Sequence, residues 1–274
     1  MTISAQELHA LIQSGKPVVA VDARWTREKS AFQHYSEAHI PLAMFCNPEV
    51  DLAGVPSRES GRNPLPDVAQ VRRAMFRWGV TDNHDLVIYD QGDGLLASRA
   101  WWILKWAGMT RIQVLRGGFD AWLAAGYDTA GGPGNLPQPG TIRVTPGHMP
   151  VVDIQDVLDW PDHGVLVDAR NVERFNGISE KVDLQAGHIP GAVNLPARSL
   201  QSEDHGFLPA EEIRAKLAEI GVTDGAQVAV YSGSGLHSSL FIQAMHSAGL
   251  EGASLFTGGW SQWAGNPSLP IVRA

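Results

Sequence analysis

Short apolar runs alternate with longer stretches of helix-spaced apolar and polar residues along the whole chain. Val18–Val21, Leu86–Tyr89 and Ile112–Leu115 are continuous apolar runs of strand length. Val165–Val167, Val228–Tyr231 and Ala253–Phe256 follow the same pattern later in the chain. Between such runs, Ala97–Trp106, Glu211–Ile220 and Ser238–Ala248 are spaced as amphipathic or buried helices. The alternation predicts an α/β fold of parallel sheets flanked by helices. Sheets of this kind bind ligands beyond the carboxyl ends of their strands, which directs attention to the residues after Tyr89 and Tyr231.

The pattern is written twice. Val21-Asp22-Ala23-Arg24 recurs as Val167-Asp168-Ala169-Arg170, and Ala38-His39-Ile40-Pro41 as Gly187-His188-Ile189-Pro190. Gly79-Val80-Thr81-Asp82 recurs as Gly221-Val222-Thr223-Asp224, and Gly117-Gly118-Phe119…Trp122 as Gly258-Gly259-Trp260…Trp263. The offsets run from 141 to 149 residues and the order never changes. A shared taste for common turn words would explain one such pair but not four. Repeats of this length are domains and not solenoid units. The expected organisation is a first domain over 1–126, a linker over 127–145 and a second domain over 146–274. The Gly- and Pro-rich stretch around Gly131-Gly132-Pro133-Gly134 suits an exposed linker.

Composition narrows the function. The chain has 274 residues, 44% apolar and 18% charged, with a formal net charge of −8. That supports packed cores and argues against a general nucleic-acid or anionic-membrane binder. No apolar run approaches the ~20 residues of a membrane-spanning helix. Met1–Glu7 has neither a basic start nor an apolar core, so no signal peptide is expected and the expected location is cytoplasmic. Cys46 is the only cysteine, which excludes an internal disulfide and a cysteine-based metal site.

After Val228–Tyr231 comes Ser232-Gly233-Ser234-Gly235-Leu236-His237 and then a helical pattern. A strand, a glycine-containing loop and a helix start can gather amide N–H groups around an anion, aided by the helix dipole. The signal is weak alone. No Gly-Lys-Ser/Thr follows, as a Walker loop would need, and the third glycine of a dinucleotide fingerprint is missing.

With the paired Asp-Ala-Arg strand ends, the His-Ile-Pro turns, Trp101-Trp102 and the Gly-Gly-Trp…Trp ending, the chain resembles the tandem-domain rhodanese and 3-mercaptopyruvate sulfurtransferase family over nearly its whole length. The resemblance implies two rhodanese-like domains. The first is catalytically silent, with Asp90 at the place matched by Ser232 in the second. It implies transfer of sulfane sulfur from a small anionic donor, 3-mercaptopyruvate or thiosulfate, to a thiol or cyanide through a cysteine persulfide. The family's loop opens with that cysteine, Cys-Gly-Ser-Gly in the mercaptopyruvate branch. The uncharged Gly233-Ser234 favours 3-mercaptopyruvate over thiosulfate.

Ser232 stands in the nucleophile position. A serine hydroxyl is not ionised near neutral pH without a base, and oxygen does not carry a stable sulfane sulfur. The chain with serine is therefore expected to be inactive. Two origins are open: an introduced one-atom Cys-to-Ser change, favoured by the intact loop around it, or a native non-catalytic module that binds a small anion or sulfur carrier.

Other roles follow from the resemblance. Arg174 matches a donor-binding arginine, for which a bidentate guanidinium is suited. Lys181 stands where the family has a second arginine, keeping the charge without the fork. Gly233, Gly235, Leu236 and His237 line the donor loop, His237 replacing a family threonine. Ser234 with His39 forms a candidate proton relay, whose acidic member is open (Glu28 and Glu37 are nearby in sequence); against it stands a plain turn-holding role shared by His39 and His188. Trp101, Trp102, Trp106, Trp122 and Trp263 read as core, Trp260 as core or pocket mouth, and Cys46 as packing. With no arginine between Ser232 and Phe241, a phosphatase is disfavoured. No metal or organic cofactor is implied. The expected partners are the sulfur donor and a thiol acceptor such as thioredoxin or a small dithiol.

Overall fold

The computed structural model describes residues 1–273. They form two compact units. The first contains Met1–Ala53, Pro66–His148 and the short stretch Glu203–Gly206. The second contains Gly54–Leu65, Met149–Ser202 and the chain from Phe207 onward. Each unit holds a short segment drawn from the other repeat, Glu203–Gly206 in the first and Gly54–Leu65 in the second.

The first unit runs β1 (Thr2–Ile3), α1 (Ala5–Gln13), β2 (Val18–Asp22), α2 (Ala31–Glu37), β3 (Met44–Phe45), α3 (Pro48–Asp51), α4 (Val68–Arg77), β4 (Asp85–Tyr89), α5 (Leu95–Trp106), β5 (Ile112–Leu115) and α6 (Gly118–Ala124). The second runs β6 (Val151–Val152), α7 (Ile154–Asp159), β7 (Val165–Asp168), α8 (Val172–Phe175), β8 (Val193–Asn194), α9 (Ala210–Glu219), β9 (Val228–Tyr231), α10 (Leu236–Ser247), β10 (Ser254–Phe256) and α11 (Gly259–Trp263). The strand orders are β1-β5-β4-β2-β3 and β6-β10-β9-β7-β8, which are the same order twice, and all pairings are parallel. The predicted central strands and helices are present to within one or two residues at their ends. The edge strands β1, β3, β6 and β8 are new.

Sequence explains the elements. α1 and α4 start at capping boxes, Ser4 with Glu7 and Asp67 with Gln70, which satisfy amides that a helix start leaves open. α5 and α10 have no side-chain cap. Each begins at a glycine in the left-handed region, Gly94 (φ 76°) and Gly235 (φ 84°), at the end of the loop that follows a central strand. Both helices are apolar nearly all round and buried, as their sequences require. Trp101, Trp102, Trp122, Trp260 and Trp263 are core residues, so Trp260 does not line a pocket mouth. Trp260 Nε1 donates to the Gln185 carbonyl at 2.9 Å. Cys46 is fully buried, and burial together with Asp51 pushes its thiol well up, which suits packing and not nucleophilic work.

The segment 127–145 is irregular and is stapled to the first unit. His39 and Ala130 exchange backbone hydrogen bonds, and Thr141 and Thr145 donate to Val80 and Ala107. Among the described residues no helix is long and apolar enough to cross a membrane.

Candidate functional site

The repeated motifs meet in one network in each unit. Arg24 grips the Asp22 carboxylate through Nε and Nη2 and donates to the Ala38 carbonyl, next to His39. Tyr89 donates its hydroxyl to Asp22 and accepts from the Ile40 amide. The Arg24 guanidinium lies 3.9 Å from the Phe119 ring centre. In the second unit Arg170, Asp168, the Gly187 carbonyl, Tyr231 and Trp260 repeat this arrangement. The buried ion pair is held by several hydrogen bonds, which is the condition under which such a pair can be tolerated. It joins the ends of the two central strands to the His-Ile-Pro turn.

Both histidines do the same structural work. His39 Nδ1 lies 2.9 Å from the Tyr35 carbonyl with the ring stacked on Tyr35, and His188 Nδ1 lies 2.8 Å from the Phe175 carbonyl with the ring stacked on Phe175. A carbonyl only accepts, so Nδ1 carries the proton in each.

The Gly-Gly-aromatic motif supports the loops. In the second unit Trp260 donates its amide to the Ser232 carbonyl at 2.7 Å, and Ser261 to the Gly233 carbonyl at 2.9 Å. A Cβ on Gly259, whose φ is +54°, would meet the Ser232 carbonyl oxygen at 2.4 Å. In the first unit Phe119 and Asp120 donate to Asp90 and Gln91, and a Cβ on Gly118 would meet the Asp90 oxygen at 2.4 Å. Only glycine allows the start of α6 or α11 to close this tightly on the loop.

Ser232 is fully buried at the end of β9, and its Oγ lies 3.1 Å from the hydroxyl of Ser238 in the first turn of α10. Ser234 accepts from Asn63 Nδ2, at 3.0 Å on its hydroxyl and 3.4 Å on its carbonyl. At the helix start Leu236 and His237 are both half-buried. The loop residues named from sequence are therefore together around Ser232.

Arg174 joins them from α8. A Cβ on Gly233 would lie 3.1 Å from Arg174 Nη1 and 3.0 Å from Arg62 Nη2. Gly233 is thus glycine because two guanidiniums occupy the space over it. Arg174 also bonds Glu180 and Asp183, and Arg62 pairs with Asp183. Burial and the neighbouring Arg174 and Arg170 lower the Arg62 pKa. Lys181 is exposed, and the second cation beside Gly233 is Arg62. Sequence reasoning missed Arg62 and Asn63. Their only local signal is the turn-rich Ser57–Pro64 stretch, which reads as an ordinary surface loop. Among the described residues no cluster of His, Cys, Asp and Glu could hold a metal ion.

A family model described as the rhodanese-like domain matches residues 4–125 and 153–266. The chain is similar to a Mycobacterium tuberculosis protein provisionally named thiosulfate sulfurtransferase SseB, 36% identical over 99% of this chain and 96% of that one. It is similar to a Pseudomonas aeruginosa protein provisionally named 3-mercaptopyruvate sulfurtransferase, 34% identical over 98% of this chain and 97% of that one. Among solved structures it is similar to SseA of Escherichia coli, described as a 3-mercaptopyruvate sulfotransferase of rhodanese fold. The TM-score is 0.82 at 28% identity, covering 95% of this chain and 98% of that one.

Proposed function

The chain belongs to the rhodanese-like family in two tandem copies, and from that premise we propose that its Ser232 loop receives a small anionic sulfur donor, 3-mercaptopyruvate in preference to thiosulfate. The observation that carries this reading is the placement of Ser232: fully buried at the strand end, at the base of a glycine loop, under the start of α10, with Arg174 beside the loop.

A cysteine at 232 would act as follows. Its thiol is deprotonated, helped by the helix start and the two adjacent guanidiniums, which favour the thiolate. The thiolate attacks the sulfur of 3-mercaptopyruvate. The carbon–sulfur bond breaks with its electrons staying on carbon, and that carbon takes a proton to give pyruvate. The enzyme is left as a persulfide. With thiosulfate the sulfur–sulfur bond breaks and sulfite leaves. A thiol or cyanide then attacks the outer sulfur and regenerates the thiolate. Arg174 orients the donor's anionic group. Gly233-Ser234 places no cation of its own at the loop apex, which supports the monoanionic carboxylate over the dianion.

Serine stops this at the first step. The Ser232 hydroxyl is bonded to another hydroxyl and not to a base. This chain therefore binds the donor and does not form the persulfide. The Ser234–His39 relay is not needed for this reading, and His39 is assigned to its turn on the strength of its match to His188. The acceptor is a thiol, with thioredoxin or a small dithiol as the proposed class and a cytoplasmic setting as the proposed location.

The test is Ser232→Cys assayed beside the parent chain. The readouts are pyruvate release from 3-mercaptopyruvate and thiocyanate formation from thiosulfate and cyanide. Turnover by the cysteine form alone, faster with 3-mercaptopyruvate, is expected. Inactivity of both forms with both donors overturns the enzyme reading and leaves the anion-binding module.

A further inference from the structure

Two hydroxyls stand side by side in the first turn of α10, Ser238 and Ser239, and both are fully buried. A buried hydroxyl needs a partner. Ser239 takes the usual helical one, donating to the Gly235 carbonyl four residues back at 2.6 Å. Counted from the glycine at each helix start, its match in the first unit is Ser98, which donates to the Gly94 carbonyl at 2.6 Å. That pair belongs to the repeated scaffold.

Ser238 does not follow it. Its hydroxyl lies 3.1 Å from the Ser232 hydroxyl, and among the described residues that is its only side-chain hydrogen bond. Its match in the first unit is Ala97, so the scaffold closes at this position without a hydroxyl. The Ala97 amide donates to the Asp90 carboxylate at 3.1 Å, and Asp90 is the counterpart of Ser232. This position of the helix start therefore faces the side chain that follows the central strand, among the amides that a first turn leaves open. In the second unit the same position adds a hydroxyl aimed at residue 232.

Facing a serine, that hydroxyl makes one more neutral hydrogen bond. Facing a cysteine it would do more. A hydrogen bond donated to a thiolate favours the charged form and is stronger than one between neutral groups. We infer that Ser238 is a residue of the reaction site: its hydroxyl donates to the sulfur of a cysteine at position 232 and holds that sulfur as the attacking thiolate. This rests on the sulfur-transfer reading of the Ser232 loop. Fully buried behind residue 232, Ser238 governs the ionisation of the nucleophile and leaves recognition of the donor to others. The other charged and titratable groups about the loop are Arg62 and Arg174 with Glu180 and Asp183, His237 on α10, and the buried Asp168–Arg170–Tyr231 network. Ser238→Ala alters none of them.

The experiment places Ser238→Ala on the Ser232→Cys background, which puts the first unit's residue into the second. The thiolate is titrated by its ultraviolet absorbance against pH, each cysteine form being read against its matching serine chain. That blank carries Cys46 and every tyrosine, so the difference reports position 232 alone. In Ser238→Ala the midpoint is expected to rise by about one pH unit, the roughly tenfold weight of one hydrogen bond to a charged group. The acid limb of kcat/KM for 3-mercaptopyruvate should move up by the same amount, with KM unchanged on the alkaline side of it. Thermal unfolding checks that the variant is folded. An unmoved midpoint in the folded variant overturns the inference. So does a lower plateau rate or unfolding temperature at an unmoved midpoint, which a packing role would give. If Ser232→Cys transfers no sulfur, the enzyme reading fails on its own account. The absorbance midpoint needs no turnover, and it still decides whether Ser238 stabilises the thiolate.

Discussion

The loop after β4 and the loop after β9 are built on the same strand order, the same buried Asp–Arg–Tyr network and the same Gly-Gly support, yet they end in opposite chemistry. In the first unit Asp90 fills its own loop. One carboxylate oxygen accepts from the amides of Gly92 and Gly94, and the other from Leu96 and Ala97. The anion cradle that a strand, a glycine loop and a helix start create is occupied by a side chain of the protein. In the second unit the matching residue is Ser232, too short to reach around the loop, and its hydroxyl turns to Ser238. Two arginines stand beside that loop. On one and the same scaffold, a loop filled by its own carboxylate and a loop left open for the proposed donor thus differ in the side chain at a single position and in the cations brought to it.

The largest way to sharpen this contrast is Ser232→Cys, which is expected to take the second loop from no measurable turnover to sulfur transfer. Next is the shared support. Gly259→Ala and Gly118→Ala would each drive a Cβ into a loop carbonyl at 2.4 Å and force an unfavourable positive φ. Each should cost several kcal/mol, on the order of 2–4, measured by urea unfolding. In the Ser232→Cys background, Gly259→Ala should also abolish activity while Gly118→Ala, if folded, should retain it. Equal loss of activity from both would mean the loops are not independent in the way their chemistry implies.

The central strands and long helices were legible because each is a continuous apolar run or a helical period, and the four recurring motifs showed that the layout occurs twice. The edge strands were not, because β1, β3, β6 and β8 are two residues each and carry too little alternation to register. The Ser232–His237 loop could be singled out because it follows a legible strand and holds two glycines, whereas the roles of Ser232, Ser234 and Arg174 were named through the family resemblance. Arg62 and Asn63 could not be singled out. Asn63 touches Ser234 across 171 positions, and the segment between Gly54 and Leu65 crosses to the other unit, which no periodicity in its own repeat announces. Spacing from a turn points to Lys181, whereas the cation over Gly233 is set by tertiary packing.

The His-Ile-Pro turns allow a smaller test within the comparison. His39→Gln and His188→Gln each lose a buried hydrogen bond to a carbonyl and a stacked ring. Each should destabilise its unit by about 1–2 kcal/mol, read by urea unfolding. With the Ser232→Cys form as background, neither should change the shape of the pH–rate profile. A change produced by His39→Gln and not by His188→Gln would instead give His39 the proton-relay role with Ser234.

The smallest effect lies in the filled loop. Burial, with the charge of Asp93 beside it, pushes the Asp90 carboxyl up from 3.8 to about 6, against the lowering effect of the amides it accepts from. A folded-state pKa above the unfolded one means that the folded state binds the proton more tightly. The stability contributed by this group is therefore fully present below pH ~4 and is lost as the pH rises through about 6. Asp90→Asn removes the titration, so the difference in unfolding free energy between parent and variant should change across pH 4–6 with a slope of at most about 1.4 kcal/mol per unit, and be flat from pH 7 to 8. The slope should favour the parent at the acid end. A difference independent of pH would mean that the four amides hold the carboxylate ionised throughout. The first loop would then be a permanently filled anion site, and its contrast with the Ser232 loop would be one of charge as well as of shape.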